Sequence, residues 1–304
     1  MKIAVVGAGA MGVLFGGRLA AAGSEVTMVD VVPAVLDAIG SRGIIIHDEA
    51  GTNTIPAKAC RGEELTEAQD LVILFTKTLF SRSALNVAGG YIGDKAQVLT
   101  LQNGLGNIET IADYVSMDQI LVGVTNYASD VKGPGEIATQ GAGYVRLMSA
   151  DGTMRDGVSE ACDALKAAGF NAEISEDVFS AIWEKVGFNA ALNSTTAICR
   201  VPVGGIGAVA EGRELVAKIA YETAAVAAAY GVSVDPEEII HSTSYAFEAH
   251  KDHFTSMAQD VQKGRKTEID YINGQIVARA HAKGIEVPYT ETVYMLMKVV
   301  QENL

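Results

Sequence analysis

Ile3-Ala-Val-Val-Gly7-Ala-Gly9-Ala-Met-Gly12 decides the fold of this chain. An apolar run of strand length meets Gly-x-Gly-x-x-Gly, and a helical pattern follows at once. Gly7 permits the tight turn, Gly9 lets backbone approach a pyrophosphate, and Gly12 lets the new helix lie close to the sheet. The helix start at Gly9–Met11 offers N–H groups and a positive dipole end to that anion. A glycine-rich turn alone says little, because such turns are common. Here it is preceded by a strand, followed by a helix, and succeeded by a second strand, Glu25–Val29, ending at an acid. That context predicts a dinucleotide site rather than a plain turn. Gly7, Ala8, Gly9, Ala10, Met11 and Gly12 are its candidate contacts.

The acid is Asp30. A carboxylate at the end of the second strand accepts hydrogen bonds from the adenosine ribose hydroxyls of NAD and repels the 2′-phosphate of NADP. A solvated loop acid, or a charge at the start of the helix near Val32, would look the same in sequence. No Arg or Lys occurs between Asp30 and Arg42 to receive a phosphate. The residues therefore favour NAD(H).

Bulk properties narrow the class. At 304 residues, two domains suit the chain better than a single large core. A net charge of −14 argues against a nucleic-acid partner. Cys60, Cys162 and Cys199 are too widely spaced for a metal site and odd in number for a disulfide framework, so a reducing cytoplasm is expected. Strand-like sequence begins directly after Met1-Lys2, which predicts no signal peptide, and no apolar run reaches membrane-spanning length.

The first half alternates strand and helix. Apolar runs at 3–6, 25–29, 71–75, 98–101 and 120–124 are separated by helical patterns at 11–22, 32–41, 81–90 and 108–115. This order predicts an α/β fold with a parallel, doubly wound Rossmann-type sheet. Two hairpins are expected, 43–46 with 54–57 and 135–138 with 143–147. A helix over 158–168 and a strand over 171–174 complete the half. After Asp177 helical periodicity takes over. Asp235-Pro-Glu-Glu has an N-cap, a proline at N1 and first-turn acids. Thr267-Glu-Ile-Asp270 has the shape of a capping box. The expected domains are 1–177, a nucleotide-binding sheet domain, and 178–304, all-helical. The helical half could supply a homodimer surface.

Within the predicted helix around 179–195, Lys185, Asn189 and Asn193 fall at i, i+4 and i+8, on one face. A cation and two amides in an Ala-rich segment suit a small polar substrate. A solvent-facing stripe is the plainer alternative, but asparagine is a poor helix former and an unusual choice for such a stripe. A second polar cluster runs from His253 through Ser256 and Gln259-Asp260 to Gly264-Arg265, Thr267-Glu268, Asp270 and Asn273-Gly274. Asp260, Arg265 and Asp270 read as structural; spacing alone leaves Glu268 and Ser256 open. Lys77 follows the strand at 71–76, and Gln102-Asn103-Gly104 follows that at 98–101. Both belong at the carboxyl edge of a parallel sheet, where such folds bind ligands.

Taken together, Gly7-Ala-Gly9-Ala-Met-Gly12, Lys77, Gln102-Asn103-Gly104, Trp183-Glu-Lys185 with Asn189 and Asn193, and Ser256-Met-Ala-Gln259-Asp260 followed by Gly264-Arg265-Lys-Thr267-Glu268 resemble the ketopantoate reductase (2-dehydropantoate 2-reductase) family along essentially the whole chain. The resemblance implies a Rossmann domain followed by a helical domain like the C-terminal one of 6-phosphogluconate dehydrogenase, with the active site between them. It implies reduction of the 2-oxo group of ketopantoate to D-pantoate, a step of pantothenate and coenzyme A synthesis. It casts Lys185 as proton donor and Glu268 as the acid that holds substrate and lysine. Asn103, Asn189, Asn193 and Ser256 become cofactor or substrate contacts, with His253 in the substrate site and Lys77 beside the cofactor. No metal is implied.

Three positions depart from the family pattern. Asp30 stands where members usually carry a basic residue and use NADP(H), Phe80 replaces a glutamine three residues after the lysine, and His253 replaces a common asparagine. An NAD-dependent D-2-hydroxyacid dehydrogenase acting on another branched or aromatic 2-oxo acid is the alternative within enzymes. A nicotinamide-binding sensor without catalysis is the alternative outside them, and the presence of both Lys185 and Glu268 speaks against it.

Overall fold

The computed structural model describes residues 1–304 and divides into two compact units, residues 1–102 with 107–178 and residues 103–106 with 179–304.

The first unit is built on β1 (Lys2–Val6), whose Ile3, Ala4 and Val5 are fully buried. Each large apolar side chain removed from water in this way contributes roughly 1.5–3 kcal/mol. Beside β1 lie β2 (Glu25–Val29) and β6 (Leu71–Leu74), both parallel to it. β5 (Lys58–Cys60), β7 (Gln97–Thr100) and β8 (Ile120–Thr125) extend the parallel set. β11 (Val145–Ser149) and β12 (Ala172–Ile174) complete an eight-stranded sheet of order β12-β11-β8-β7-β6-β1-β2-β5. Helices α1 (Ala10–Ala21), α2 (Pro33–Arg42), α3 (Ser81–Asn86), α4 (Asn107–Ala112) and α5 (Asp156–Ala167) link its strands.

The sheet departs from the all-parallel expectation at β11, which runs antiparallel to β8. A parallel return needs a long crossover, usually a helix. Here β8 leads instead into a short hairpin, β9 (Ser129–Gly133) and β10 (Glu136–Thr139). The expected pairing of 135–138 with 143–147 is therefore wrong. Gly135, at φ +69°, forms the turn between β9 and β10. β10 then pairs in parallel with β3 (Ile44–Asp48), itself antiparallel to β4 (Gly51–Ile55), in a second sheet of order β4-β3-β10-β9.

The second unit is helical: α6 (Val178–Cys199), α7 (Val203–Gly207), α8 (Ala210–Ala229), α9 (Pro236–Ala249), α10 (Ser256–Gln262), α11 (Asn273–Ala282) and α12 (Pro288–Glu302). Trp183, Val186, Ala190 and Ala191 of α6 enter a core with Ile219, Phe247, Ile269, Ile276 and Met297. Asp235 caps α9 by accepting from the N–H of Glu237. The capping box expected at Thr267–Asp270 does not form, and the next helix starts only at Asn273. Thr267 instead donates its hydroxyl to Gln301 Oε1 at 2.8 Å, and Asp270 is held by Tyr294 Oη and Lys298 Nζ, each at 2.9 Å.

A continuous boundary at 177 also misses one segment. Asn103–Gly106 leaves the end of β7 and belongs to the helical unit. Leu105 sits in the helical core, 8% exposed, and its N–H donates to the carbonyl of Tyr271 at 2.9 Å.

Candidate active site

In the sheet unit, the glycine-rich turn is shaped by contact with its own neighbours. Gly7 has φ +99°, and a Cβ there would lie 2.5 Å from Thr76 N, at the end of β6. A Cβ on Gly12 would lie 1.8 Å from the Gly7 carbonyl oxygen. Gly9 differs: it is exposed, and a Cβ there would meet nothing within 4 Å. It occupies the N-cap of α1 without any side-chain cap. The first-turn N–H groups of Ala10, Met11 and Gly12 have no intrahelical acceptor. A turn pressed shut at Gly7 and Gly12 yet open over Gly9, ahead of uncapped amides, fits a pyrophosphate.

Asp30 is tied into this turn. Its Oδ2 accepts from Ala8 N at 2.6 Å, and its Oδ1 accepts from Val31 N and Val32 N at 2.8 and 2.9 Å. These bonds use three of the roughly four acceptor positions of an ionised carboxylate. The last is left open to an outside donor. Asp30 thus both steadies the turn and faces the start of α2. Lys77 is half-buried and opens the short 3-10 turn Thr78–Phe80, one residue beyond the Thr76 backbone that abuts Gly7. Phe80 is 53% exposed.

The helical unit brings together the acid, the cation and the amides. Asn189 and Asn193 are buried, which overturns the solvent-stripe alternative for this face of α6. Asn193 Nδ2 donates to Asn189 Oδ1 at 3.1 Å, so the Asn189 NH2 group is left as a donor pair one turn from Lys185. Burial pushes the Lys185 ammonium down to about 8, and the Glu268 carboxylate opposes that shift. Glu268 is half-buried in the turn before α11, and its carbonyl accepts from the N–H of Tyr271 at 2.9 Å and of Ile272 at 3.1 Å. Asn103 is half-buried in the loop that joins this unit. Ser256 is the exposed first residue of α10, and His253 lies exposed just before it, its carbonyl accepting from Val203 N at 2.9 Å.

Sequence reasoning missed the residues that fasten these groups. Ser194, Thr195 and Thr196 return their hydroxyls to carbonyls of α6, at 2.5, 2.7 and 2.8 Å. Thr196 Oγ1 also lies 2.8 Å from Thr255 Oγ1. Thr255 is the N-cap of α10, so this pair pins Ser256 to α6. Asn273 Nδ2 donates to the Ala190 carbonyl at 3.0 Å, tying α11 to the same helix. Thr255 as an N-cap before Ser256 was the one legible signal among them. Arg61 was missed for a different reason. Cys60 pairs in register with Val29, and Asp30 N donates to the Cys60 carbonyl at 3.3 Å. Arg61, the residue that follows β5, therefore comes level with Asp30, although 31 positions separate them in sequence. Asp260 and Arg265 pair with each other, Nη2 to Oδ1 at 2.7 Å, in keeping with a structural role.

No helix is long and apolar enough to cross a membrane, and no group of three or more His, Cys, Asp or Glu side chains could hold a metal ion. All three cysteines are free thiols.

Comparison with known proteins shows the family and the fold of the chain. Residues 3–152 match the family profile described as ketopantoate reductase PanE/ApbA, and residues 177–301 match its C-terminal counterpart. The 2-dehydropantoate 2-reductase of Streptococcus pyogenes serotype M6 is 34% identical, over 98% of this chain and 97% of that one. That of Halobacterium salinarum is 30% identical, over the full length of both. Among solved structures, D-mandelate dehydrogenase with NADH and anilino(oxo)acetate is 30% identical, with a TM-score of 0.93 over 100% of this chain and 99% of that one. The 2-dehydropantoate 2-reductase from Geobacter metallireducens GS-15 is 29% identical, with a TM-score of 0.91 over 98% of this chain and 99% of that one. With both profiles matched in order and relatives alike from end to end, the chain belongs to the ketopantoate reductase family.

Proposed function

We propose that this protein reduces the 2-oxo group of ketopantoate to D-pantoate. Lys185 carries the reading: a half-buried lysine with its acidity raised to about 8, facing a carboxylate and one turn from a buried amide pair. Hydride addition to a ketone builds negative charge on oxygen, so the site needs a placed cation that can also give up a proton. The Lys185 ammonium meets both needs. Glu268 keeps enough of the lysine charged at neutral pH. Asn189, Asn193 and Ser256 supply neutral donors for the substrate carboxylate, with His253 beside them. Asn103 orients cofactor or substrate. When bound, the reduced nicotinamide supplies the hydride; the turn Gly7–Gly12, Asp30 and Lys77 hold that cofactor.

The finer assignment is NADH. Asp30 supports it, with an acceptor position suited to a ribose hydroxyl and a charge opposed to a 2′-phosphate. The NADH in the D-mandelate dehydrogenase structures is in line with it. Asp30→Asn is expected to move the NADH-to-NADPH ratio of dissociation constants at least about tenfold toward NADPH, one decade being about 1.4 kcal/mol. Fluorescence titration with both cofactors measures this, and an unchanged ratio removes Asp30 from cofactor choice.

Lys185 also sets a pH dependence. Reduction needs the ammonium, so kcat/KM should be flat below pH 8 and fall as pH rises through about 8. Glu268→Gln removes the charge that raises this value, so the descending limb should move to lower pH, with kcat/KM lowered about 10²-fold. A limb that stays in place in Glu268→Gln would separate the two residues.

Initial rates of NADH and NADPH oxidation with ketopantoate, 2-oxoisovalerate and phenylpyruvate test the whole reading. Ketopantoate with NADH should give the highest kcat/KM. Preference for phenylpyruvate would make the protein a D-2-hydroxyacid dehydrogenase on the same scaffold.

A further inference from the structure

Asn103 and Glu268 are 165 positions apart in sequence, yet a short backbone path links them. Leu105 N donates to the Tyr271 carbonyl at 2.9 Å, and Tyr271 N donates to the Glu268 carbonyl at 2.9 Å. Gly104 lies flat against the same peptide. A Cβ there would fall 2.4 Å from Tyr271 O and 2.9 Å from Tyr271 C, and its φ of +88° is one that L side chains rarely adopt. Leu105 locks the segment by burying its side chain in the helical core, 8% exposed. Gly106, at φ +90°, then turns the chain past the Gln275 side chain.

We propose that the Tyr271 peptide is a positioning group that holds the Asn103 loop in register with Glu268, with Gly104 as the residue that makes the contact possible. The proposal rests on the reductase reading, in which Asn103 and Glu268 serve one site. Tyr271 takes no part in the chemistry itself. A free loop would otherwise sample many backbone states and would have to be ordered at the moment of binding. The clasp completes that ordering in folding, so Asn103 is already in place when ligand arrives. The geometry also explains why the loop segregates with the helical unit although both its flanks belong to the sheet unit.

Two measurements test this. Native-state hydrogen exchange followed by NMR should show the Leu105 amide protected at least about 10³-fold in the wild type, and that protection should be lost in Gly104→Ala. In steady-state kinetics, Asn103→Ala should lower kcat/KM about tenfold or more in the wild-type background and have no further effect in Gly104→Ala, as for residues that act as a unit. A residue that merely supports the fold would leave the Asn103→Ala penalty equal in both backgrounds. Should Gly104→Ala fail to fold, replacing Leu105 by its α-hydroxy-acid analogue removes only the N–H, and the same loss of coupling is expected. An unprotected Leu105 amide in the wild type, or equal Asn103→Ala penalties in the two backgrounds, overturns the proposal. If the wild type reduces no 2-oxo acid, the reductase reading falls while the exchange measurement still decides whether the clasp exists.

Discussion

Lys185→Ala is expected to lower kcat for 2-oxo acid reduction by a factor of about 10² to 10⁴, the range typical of losing a positioned proton donor. The reason lies in what the site demands at the reacting oxygen. As hydride arrives, negative charge develops there, and water in a half-buried site is a poor substitute for a fixed ammonium. Burial has already brought Lys185 down to about 8, near the working pH, where an acid is both charged and willing to donate. On the proposed reading Asn189, Asn193 and Ser256 are the donors to the substrate carboxylate, and all three remain in the variant, so KM should change less than kcat. Lys185→Arg is the sharper comparison. It restores the charge but holds its proton far more tightly than a lysine does, so it should recover binding without recovering turnover. Rapid mixing under single-turnover conditions separates chemistry from release. A kcat within twofold of wild type for Lys185→Ala would remove the lysine from the reaction.

How much of this was legible in the sequence depends on whether a feature is local. The strand–turn–helix at residues 3–21 is read from glycine spacing in its strand–helix context, because Gly7 and Gly12 answer contacts made within the motif or with the residues that follow β6, while Gly9 is left open. Lys185, Asn189 and Asn193 were legible for a similar reason, since helical periodicity fixes their common face. Non-local choices were not legible. The two strand-like runs at 135–138 and 143–147 look like the arms of a hairpin, and only the partners available in space decide that 136–139 joins the small sheet while 145–149 joins the large one. Thr267 has the right spacing for a cap, but Gln301 at the far end of α12 competes for its hydroxyl and wins. Arg61 comes level with Asp30 only once β5 is known to flank β2. The clasp at Tyr271 is a backbone interaction, and backbone carbonyls leave no mark in a sequence; the glycines at 104 and 106 were its only trace.

The glycine-rich turn supplies a contrast that needs no substrate. Gly9→Ala and Gly12→Ala each add one methyl group, and their outcomes should differ in kind. At Gly12 the new carbon would lie 1.8 Å from the carbonyl oxygen of Gly7 and 3.0 Å from its carbonyl carbon. Both are backbone atoms of a turn already wedged against Thr76, so no side-chain rotation relieves the overlap. The turn or α1 must move, and overpacking of this sort costs about 1–3 kcal/mol or more. Gly12→Ala should therefore show a lowered melting temperature together with weakened cofactor binding. At Gly9 the new carbon meets no protein atom, and φ is −75°, which alanine adopts without strain. Gly9→Ala should fold with an unchanged melting temperature. Its methyl group instead stands where a pyrophosphate must approach the backbone, so the dissociation constant for NADH should rise at least about tenfold, one decade being about 1.4 kcal/mol. Calorimetric melting and fluorescence titration on the same samples give both quantities. Tight NADH binding by Gly9→Ala would mean that the open space above this residue is not the phosphate site, and the cofactor would have to be placed elsewhere along the carboxyl edge of the sheet.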